Sequence, residues 1–459
     1  MRSSRLFTRS AVTPWSLGAA GRPRSGSVGL APRECDTPDR GPPLRLRLRL
    51  PRLPRLSRFA VLAAAGALLA PAPAATDPLG PPVRIAEGFP YAGAAAWGGD
   101  RGVWIGTSEA SGDTLARFFT PTGPAGEPVV VRPGPDGMAL PDLDVAYGGA
   151  RHEFLVVFAQ GPRVFARTMT LGGRLGPKVA VSTRRGGRAP AVAYHPGRDE
   201  YLVVWEQPSG PGVAVVARRL GPDGTPLGSR EVPLSDRLDV NVQPDVVAAP
   251  SVGYLAVWVS IDPIDESDSV LDVVGRRVTV TGAPVGAAEA RLSFHTNLQG
   301  WVHNQEPAVA WNAGRGEAYV AFSDGFEIFG QRLDRSGARI GGNARLSTMG
   351  PDGDPLAVAQ FPDVAWSERA GSYLVSWWGI DAPGGTEQIY GQHLSQGGRP
   401  VGADDFQVST CAPAPGAGCA PGVPAQVVAV PGTREFLVAW GDPHPDTGQA
   451  TSVRRVGAP

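Results

Sequence analysis

The chain has 459 residues, of which 42% are hydrophobic, with 43 basic and 43 acidic groups. Residues 1–74 hold 13 arginines and 3 acidic residues, so the remainder carries 30 basic and 40 acidic groups. This excess of negative charge excludes the broad basic surface that nucleic-acid binding requires, and we expect no nucleic-acid partner.

The first 74 residues have the composition of a leader in two parts. Residues 1–43 are rich in Pro, Gly, Ser and Arg without periodicity, which predicts a disordered extension or a mis-assigned start. Residues 44–74 join a basic stretch, an apolar run at 59–69 and the small-residue pattern Ala72-Pro73-Ala74, as in a secretory signal peptide. That run is too short for a membrane span. We therefore expect a secreted, periplasmic or cell-surface protein, monomeric and without a transmembrane segment once the signal is removed.

After a short linker at 75–82, one pattern of four short strands recurs from residue 83 to 459. Its copies are marked by an alanine near the end of each first strand: Ala96, Ala146, Ala193, Ala248, Ala310, Ala365 and Ala429. The second strands are apolar without alternation, as in Tyr201-Leu-Val-Val-Trp205, which is typical of strands buried on both faces. The pattern predicts an all-β fold, a seven-bladed β-propeller with four-stranded antiparallel blades.

The last copy ends without a fourth strand, and a strand-like stretch, Val83-Arg-Ile-Ala86, precedes the first copy. We expect this N-terminal strand to close the last blade, because closure removes exposed strand edges. The third strands repeat a basic residue, as in Arg218, Arg276 and Arg332. Recurrence with the repeat predicts a structural role, hydrogen bonding between strands or blades.

Loops that vary in length fall on one face of the predicted ring, while the turns on the other face are short. Such one-sided variation predicts ligand binding at the loop-rich face. The candidate binding residues there are Trp301, His303, Asn304, Trp378 and Asp381. A tryptophan beside amides and carboxylates can stack a sugar or grip a peptide. The alternative interpretation is that Trp301 caps the ring and the polar groups satisfy loop backbone.

Cys411 and Cys419 lie eight residues apart in a Pro/Gly-rich loop, and an even count in an exported chain predicts a disulfide between them. A metal site at these cysteines is the weaker alternative, because tetrahedral partners are missing nearby. Calcium at the aspartates of 262–272 or 352–363 is a minor alternative, since neither stretch has EF-hand spacing. We expect no metal and no other cofactor.

Catalytic motifs such as G-x-S-x-G or H-E-x-x-H are absent from the sequence, so we assign no catalytic residue. The histidines are scattered over different copies. We expect His152 and His195 to be solvated turn residues and His393 to be structural. Paired carboxylates for glycoside cleavage stay open, because their separation is a spatial property.

The strings Tyr373-Leu-Val-Ser-Trp377, Ile389-Tyr-Gly-Gln392, Gly398 to Gly402 and Val408-Ser409 form a signature. With its other copies it resembles a repeat of secreted bacterial proteins of largely unknown role. The resemblance implies a β-propeller of about seven blades and export, and it brings no catalytic residues. The leading hypothesis is an exported, non-enzymatic propeller that binds a carbohydrate or an extracellular protein. The alternatives are a polysaccharide hydrolase or lyase, and a structural envelope or adhesion module.

Overall fold

A computed structural model describes residues 78–87, 91–108, 111–134, 142–235, 239–263, 269–294, 304–350, 357–382, 385–410, 422–444 and 448–459. All regular secondary structure in these ranges is β-strand. Within them, no helix has the length and hydrophobicity that crossing a membrane would require. The predicted leader and the short linker up to residue 77 lie outside the described residues.

The strands follow one another in repeats, which we name by their first strand. The N-terminal strand β1 (Pro78–Glu87) comes before them. The first three repeats are the β2 repeat, with β2 (Tyr91–Gly98), β3 (Arg101–Thr107), β4 (Thr114–Thr120), β5 (Gly123–Pro124) and β6 (Val129–Arg132); the β7 repeat, with β7 (Leu143–Gly148), β8 (Glu153–Gln160), β9 (Arg163–Thr170) and β10 (Val179–Ala180); and the β11 repeat, with β11 (Arg188–His195), β12 (Glu200–Ser209), β13 (Gly212–Leu220) and β14 (Val232–Pro233).

The remaining repeats complete the chain. They are the β15 repeat, with β15 (Val240–Ala249), β16 (Gly253–Pro263), β17 (Ser269–Val278) and β18 (Ala290–Arg291); the β19 repeat, with β19 (Asn304–Asn312), β20 (Glu317–Asp324), β21 (Glu327–Asp334) and β22 (Arg339–Arg345); the β23 repeat, with β23 (Val358–Ser367), β24 (Ser372–Ile380), β25 (Gln388–Ser395) and β26 (Pro400–Gln407); and the β27 repeat, with β27 (Gly422–Ala429), β28 (Glu435–His444) and β29 (Gly448–Gly457).

The first strands lie side by side in a closed ring. β2 contacts β7, and the contacts continue through β11, β15, β19, β23 and β27 back to β2. Within each repeat the strands pair in antiparallel order outward from the first strand. This arrangement is an all-β propeller, and it confirms the predicted fold class. The first strands enclose a central channel.

The prediction of seven separate hydrogen-bonded sheets is wrong. The described residues form six sheets, because the β11 and β15 repeats share one sheet of eight strands. They are joined by a single parallel bridge between Val213 and Val240. At this point the third strand of one repeat approaches the first strand of the next closely enough to pair, so the sheet boundary expected from the repeat pattern disappears.

Closure by the N-terminal strand is confirmed. β1 pairs antiparallel with β29, with Val83 opposite Val453, and supplies the strand that the last repeat lacks. It begins at Pro78, five residues before the predicted start. Ile85 is buried between Trp104 of the β2 repeat and Leu437 of the β27 repeat, so the closing strand also seals the interface between the two ends of the chain.

The hydrophobic core is divided among the interfaces between successive repeats. Second strands contribute most of it, because both of their faces are covered by neighbouring sheets. Trp205, for example, packs with Leu155 of the preceding repeat. Trp205, Trp258, Trp377 and Trp440 occupy equivalent positions and are among the largest fully buried side chains. Each repeat therefore depends on both neighbours for its core.

Arginines of the third strands hold neighbouring repeats together on the outer side. The guanidinium of Arg218 donates to the carbonyl of Val181 in the preceding repeat at 2.7 Å and to the carbonyl of Gly228 at 3.0 Å. The equivalent arginines Arg167, Arg276 and Arg454 make the same kind of cross-repeat bond. This confirms the structural role predicted for Arg218 and Arg276. It is also confirmed for Arg332, which bonds to Glu317 on the neighbouring strand of its own repeat.

We expect Arg218→Met to lower the free energy of unfolding by about 1–3 kcal/mol, because the Val181 carbonyl would stay buried without its charged donor. Chemical denaturation measures this change. The control is Arg230→Met, which removes an exposed arginine from the same repeat and should change stability by no more than about 0.5 kcal/mol. Equal effects of the two substitutions would contradict the proposed role of Arg218.

Of the three histidine predictions, the structure contradicts one and agrees with two. His195 is 2% exposed and packs against Tyr254, so the expectation of a solvated turn residue is wrong. It ends a first strand, where the following repeat covers it, and this burial lowers its pKa. His152 is exposed, as expected, and bonds to Tyr147. His393 is structural: it is 1% exposed and stacks on Phe406.

Candidate functional site

The first strands run parallel to one another along the channel, so equivalent residues form layers around it. We call the end at which first strands begin and second strands end the loop face, and the opposite end the turn face. Between them lies a layer of three aspartates, Asp144, Asp245 and Asp363, which we call the channel carboxylates. They occupy the same register position in β7, β15 and β23, opposite Val157, Val257 and Ser376 of the second strands.

Each channel carboxylate ties two repeats together. In Asp144, Oδ1 accepts the N–H of Val145 at 2.7 Å and Oδ2 accepts the N–H of Val192 in the next repeat at 2.7 Å. Asp245 bonds in the same way to Val246 and Val309, and Asp363 to Val364 and Val427. The receiving repeats carry Ala191, Ala308 and Gln426 at the aspartate position. The aspartates therefore alternate with residues that need no such bond.

The channel carboxylates are half-buried side chains with raised pKa values. Burial, and then the negative charge of Asp245, raise the pKa of Asp144 to about 8. Burial raises the pKa of Asp363 to about 7, with a further contribution from Asp245, and that of Asp245 to about 6. The backbone N–H donors act in the opposite direction, because they favour the ionised form. Near neutral pH this layer therefore holds both protons and negative charge.

A layer of aromatic residues lies at the turn face, three residues beyond the carboxylates along each strand. It consists of Trp97, Tyr147, Tyr194, Trp311 and Trp366, which we call the aromatic collar; all five are half-buried. Their partners in the second strands show that they share one register position. At about 3.3 Å per residue, the collar lies roughly 10 Å from the carboxylate layer.

The collar is interrupted by Ala429 in the β27 repeat and also in the β15 repeat, where Ala248 takes the aromatic position. Beside this gap the turn face has a cavity of about 450 Å³, lined by Trp97, Tyr147 and Tyr194 of the collar and by small apolar residues. None of its lining residues is charged. Val192 and Val246 also line it, and their N–H groups bond to Asp144 and Asp245. The cavity therefore extends from the collar to within one residue of the layer of channel carboxylates, which do not themselves line it.

Polar partners hold the rims of the collar in place. The Tyr194 hydroxyl donates to Asp199 at 2.9 Å, and the Tyr147 hydroxyl bonds to His152 at 2.9 Å. Trp366 donates from Nε1 to Glu368 at 2.8 Å. Aromatic side chains fixed at their polar ends lose little conformational entropy when a ligand stacks on them. The volume of the cavity, about 450 Å³, falls in the range of small-molecule sites, and the cavity is open to solvent.

At the loop face, bulges at the start of the first strands form a chain of hydrogen bonds. Ala189, Gln243, Glu306 and Phe361 all have positive φ, between 45° and 57°. In this conformation the N–H of Gln243 reaches Glu206 of the preceding repeat, and the N–H of Glu306 reaches Gln243, both at 2.9 Å. Ala189 and Phe361 donate to Asp142 and Glu306 in the same way. The left-handed backbone is costly, and these bonds hold it.

The structure places two of the five predicted binding residues together on the loop face. Trp378 is half-buried, packs edge-on against Phe361 and donates from Nε1 to Glu387 at 3.3 Å. Asp381 is exposed and bonds to the Tyr390 hydroxyl, whose pKa is raised by burial and by that carboxylate. Both lie at the end of the same second strand.

Most of the other predicted site residues lie outside the described ranges. Asn304 begins β19, paired with Asp324, and Trp301 and His303 lie outside the described residues. Cys411 and Cys419 also lie outside them, so the disulfide stays a prediction. Of the aspartates considered for calcium, Asp272 bonds to Ser293 and Arg291, and Asp363 is a channel carboxylate. Within the described ranges, no three His, Cys, Asp or Glu side chains are grouped to hold a metal ion.

Sequence reasoning missed the aromatic collar and the channel carboxylates. The available signal was periodic: an aspartate precedes Val-Ala-Tyr147, Val-Val-Ala248 and Val-Ala-Trp366, and an aromatic residue follows the marker alanine in five copies. Only the ring geometry shows that these positions converge on the channel, because along the chain they are about 50 residues apart.

Comparisons with known proteins place the chain in no family. No protein-family model matches it, and no curated protein does. Solved structures that are similar to it include the Dos1 propeller, at 7% identity and a TM-score of 0.44, covering 82% of this chain and 94% of that one. Another is the propeller domain of Swd1 from Myceliophteria thermophila, at 11% identity and 0.44, covering 76% and 92%. A third is the polysaccharide lyase Uly1, at 8% identity and 0.48, covering 81% and 90%.

Proposed function

We propose that this chain is an exported, non-enzymatic β-propeller that binds a carbohydrate at the mouth of its central channel. The observation that carries the proposal is the aromatic collar at the turn face, three of whose members border a cavity of about 450 Å³. Indole and phenol rings present large, rigid apolar faces that suit the apolar face of a sugar ring. Export rests on the predicted signal peptide and on the resemblance to secreted repeat proteins.

This proposal moves the ligand from the loop face, where the sequence analysis placed it, to the turn face. Among the described residues, the loop-face candidates Trp378 and Asp381 are already engaged by Glu387 and Tyr390. The turn-face cavity is lined by three half-buried aromatic side chains, Trp97, Tyr147 and Tyr194, and the polar partners of the two tyrosines bond to their hydroxyl groups. A protein ligand gripped by the long loops of the loop face is the alternative that the same scaffold supports.

We also propose that the ring has seven blades. The eight-stranded sheet counts as two blades, because its halves have separate first strands and meet at only one bridge. The ring of first strands and the apolar clusters between successive repeats support this count.

Glycan-array screening followed by titration tests the binding proposal. We expect Trp97→Ala to weaken binding of the glycan by about tenfold or more, because a central aromatic anchor contributes on the order of 2 kcal/mol. The matched control is Val130→Ala, an exposed apolar residue on the outer side of the same repeat, which should leave affinity unchanged. If Trp378→Ala abolishes binding and Trp97→Ala does not, the ligand lies on the loop face instead.

A hydrolase or lyase acting on polysaccharide is favoured by one specific observation. Asp144 and Asp363 have pKa values of about 8 and 7, which would let a carboxyl group act as a proton donor near neutral pH. Their oxygens, however, are already bonded to backbone N–H groups of two repeats. Turnover of any polysaccharide that disappears in Asp144→Asn, while binding is retained, would establish the enzymatic function over the binding one.

A further inference from the structure

We propose that the turn-face cavity binds a protonated amino sugar, with its ring against the aromatic collar and its ammonium group directed toward the channel carboxylates. This inference rests on the proposed function and names the class of carbohydrate. It is carried by two separate features, the uncharged aromatic cavity and the charge of the strands that continue from it.

The charged side chains of the first strands are mostly acidic. The described first strands contain four carboxylates, Asp144, Asp245, Glu306 and Asp363, and a single cation, Arg188. Arg188 lies at the loop face, where it is paired with Glu206 at 2.5 Å. Within the described first strands, no arginine or lysine lies between the channel carboxylates and the turn face. The ionised carboxylates of this layer would therefore attract a cation that enters from the turn face.

The inner end of the cavity lies close to two of the channel carboxylates. Val192 and Val246 line the cavity, and their N–H groups contact Asp144 and Asp245 directly. A ligand that fills the cavity from the collar inward therefore comes within one residue of Asp144 and Asp245, and an ammonium group that extends past Val192 and Val246 would meet them. Each carboxylate oxygen that accepts one N–H keeps a second lone pair for another donor. An ammonium group has three donors and can use them.

The aromatic walls and the nearby carboxylates together limit which kind of molecule fits the cavity. A small cation can interact with one ring face, but it would leave most of the apolar wall of the cavity uncovered. A protein partner would need a broad apolar platform around the opening. In the described part of the chain, the exposed large apolar side chains are Leu79, Val130 and Phe294, which lie on outer strands or loops and not at this mouth. A sugar ring that carries an amine matches both the walls and the charge.

The test compares three β-1,4-linked tetrasaccharides that differ at one position of each ring: those of glucosamine, N-acetylglucosamine and glucose. With the full protein at neutral pH, we expect the glucosamine tetramer to bind at least about tenfold more tightly than the two neutral tetramers, since a charged hydrogen bond contributes about 1.5–3 kcal/mol. Its advantage should shrink as salt is added, because screening weakens the attraction. Binding should also release protons, because an ammonium group nearby lowers carboxyl pKa values.

Variants separate charge from stacking. Asp144→Asn and Asp245→Asn should reduce the affinity for the glucosamine tetramer toward that for the neutral tetramers, and leave the neutral affinities within twofold. The control is Glu127→Gln, which removes one exposed carboxylate from the outer side of the ring and should change nothing. The comparison among ligands on the unmodified protein stands even if an aspartate variant fails to fold.

The outcomes are distinct. If the neutral tetramers bind as tightly as the glucosamine tetramer, the amino-sugar inference is overturned and the carbohydrate proposal stands. If spermidine binds as tightly as the glucosamine tetramer and displaces it, the cavity is a cation site and the inference also fails. If none of the tetramers binds but another glycan on the array does, at a site sensitive to Trp97→Ala, the proposed function survives without this ligand class.

Discussion

Removing β1 should destabilise the whole ring, whereas removing only the residues before it should not. A chain that begins at residue 88 lacks the partner of β29 and exposes that strand's edge. It also loses Ile85 from the cluster that joins the β27 and β2 repeats, and the Ile85 and Gly80 carbonyls that accept bonds from Arg117 and Arg454. We expect the midpoint of thermal unfolding to fall by more than 10 °C, or the protein to aggregate, as the sum of several losses of about 1–4 kcal/mol each.

The control for this deletion is a chain that begins at residue 78 and keeps all of β1. Its unfolding midpoint should match that of the protein that begins at the predicted cleavage site. A gentler version uses point substitutions: Ile85→Ala should cost about 2–4 kcal/mol, and Leu79→Ala, at a side chain that is 40% exposed, less than 1 kcal/mol. If the chain from residue 88 melts with the control, the N-terminal strand does not hold the ring closed.

The propeller itself could be predicted from the sequence because each repeat states its role locally. Apolar runs such as Tyr201-Leu-Val-Val-Trp205 are buried on both faces wherever they occur, and the missing strand of the last repeat identifies the closing partner. The shared sheet of the β11 and β15 repeats could not be predicted. It depends on one bridge between Val213 and Val240, and a single bridge between two repeats leaves no pattern in the sequence of either.

The candidate site was harder to predict for a different physical reason. Loop length indicates where a ring can accommodate insertions, and it directed attention to the loop face. The collar and the channel carboxylates consist of single residues, about 50 positions apart, that meet only because the first strands are parallel and in register around the channel. His195 shows the same limit: its turn is short, but the following repeat buries it. Contacts between repeats are set by the ring, which no single repeat encodes.

The channel carboxylates should make the protein less stable as the pH rises from 5 to 9. In the unfolded chain these aspartates titrate near 3.8, while in the folded protein the pKa values are about 8, 6 and 7 for Asp144, Asp245 and Asp363. Between these limits the folded state binds more protons than the unfolded state, so stability falls as the pH rises. Each unit of difference between the folded-state and the unfolded-state pKa changes the free energy of unfolding by about 1.4 kcal/mol, before screening by water in the channel is included. We expect a loss of a few kcal/mol, measured by urea denaturation at each pH.

The slope of stability against pH identifies the groups responsible. Asp144→Asn should lower stability at every pH, because an amide cannot accept both backbone N–H groups, but it should flatten the decline between pH 5 and 8, where Asp144 titrates. Asp334→Asn is the control: Asp334 lies at the end of β21, and burial is outweighed by hydrogen bonds that lower its pKa. The stability that ionised Asp334 contributes is lost only as the pH falls below about 4. The slope of stability against pH above pH 5 should therefore be unchanged in this variant. If both variants keep the slope of the unmodified protein, the decline arises from general repulsion among its acidic groups, and the carboxylates of the channel are ionised throughout this range.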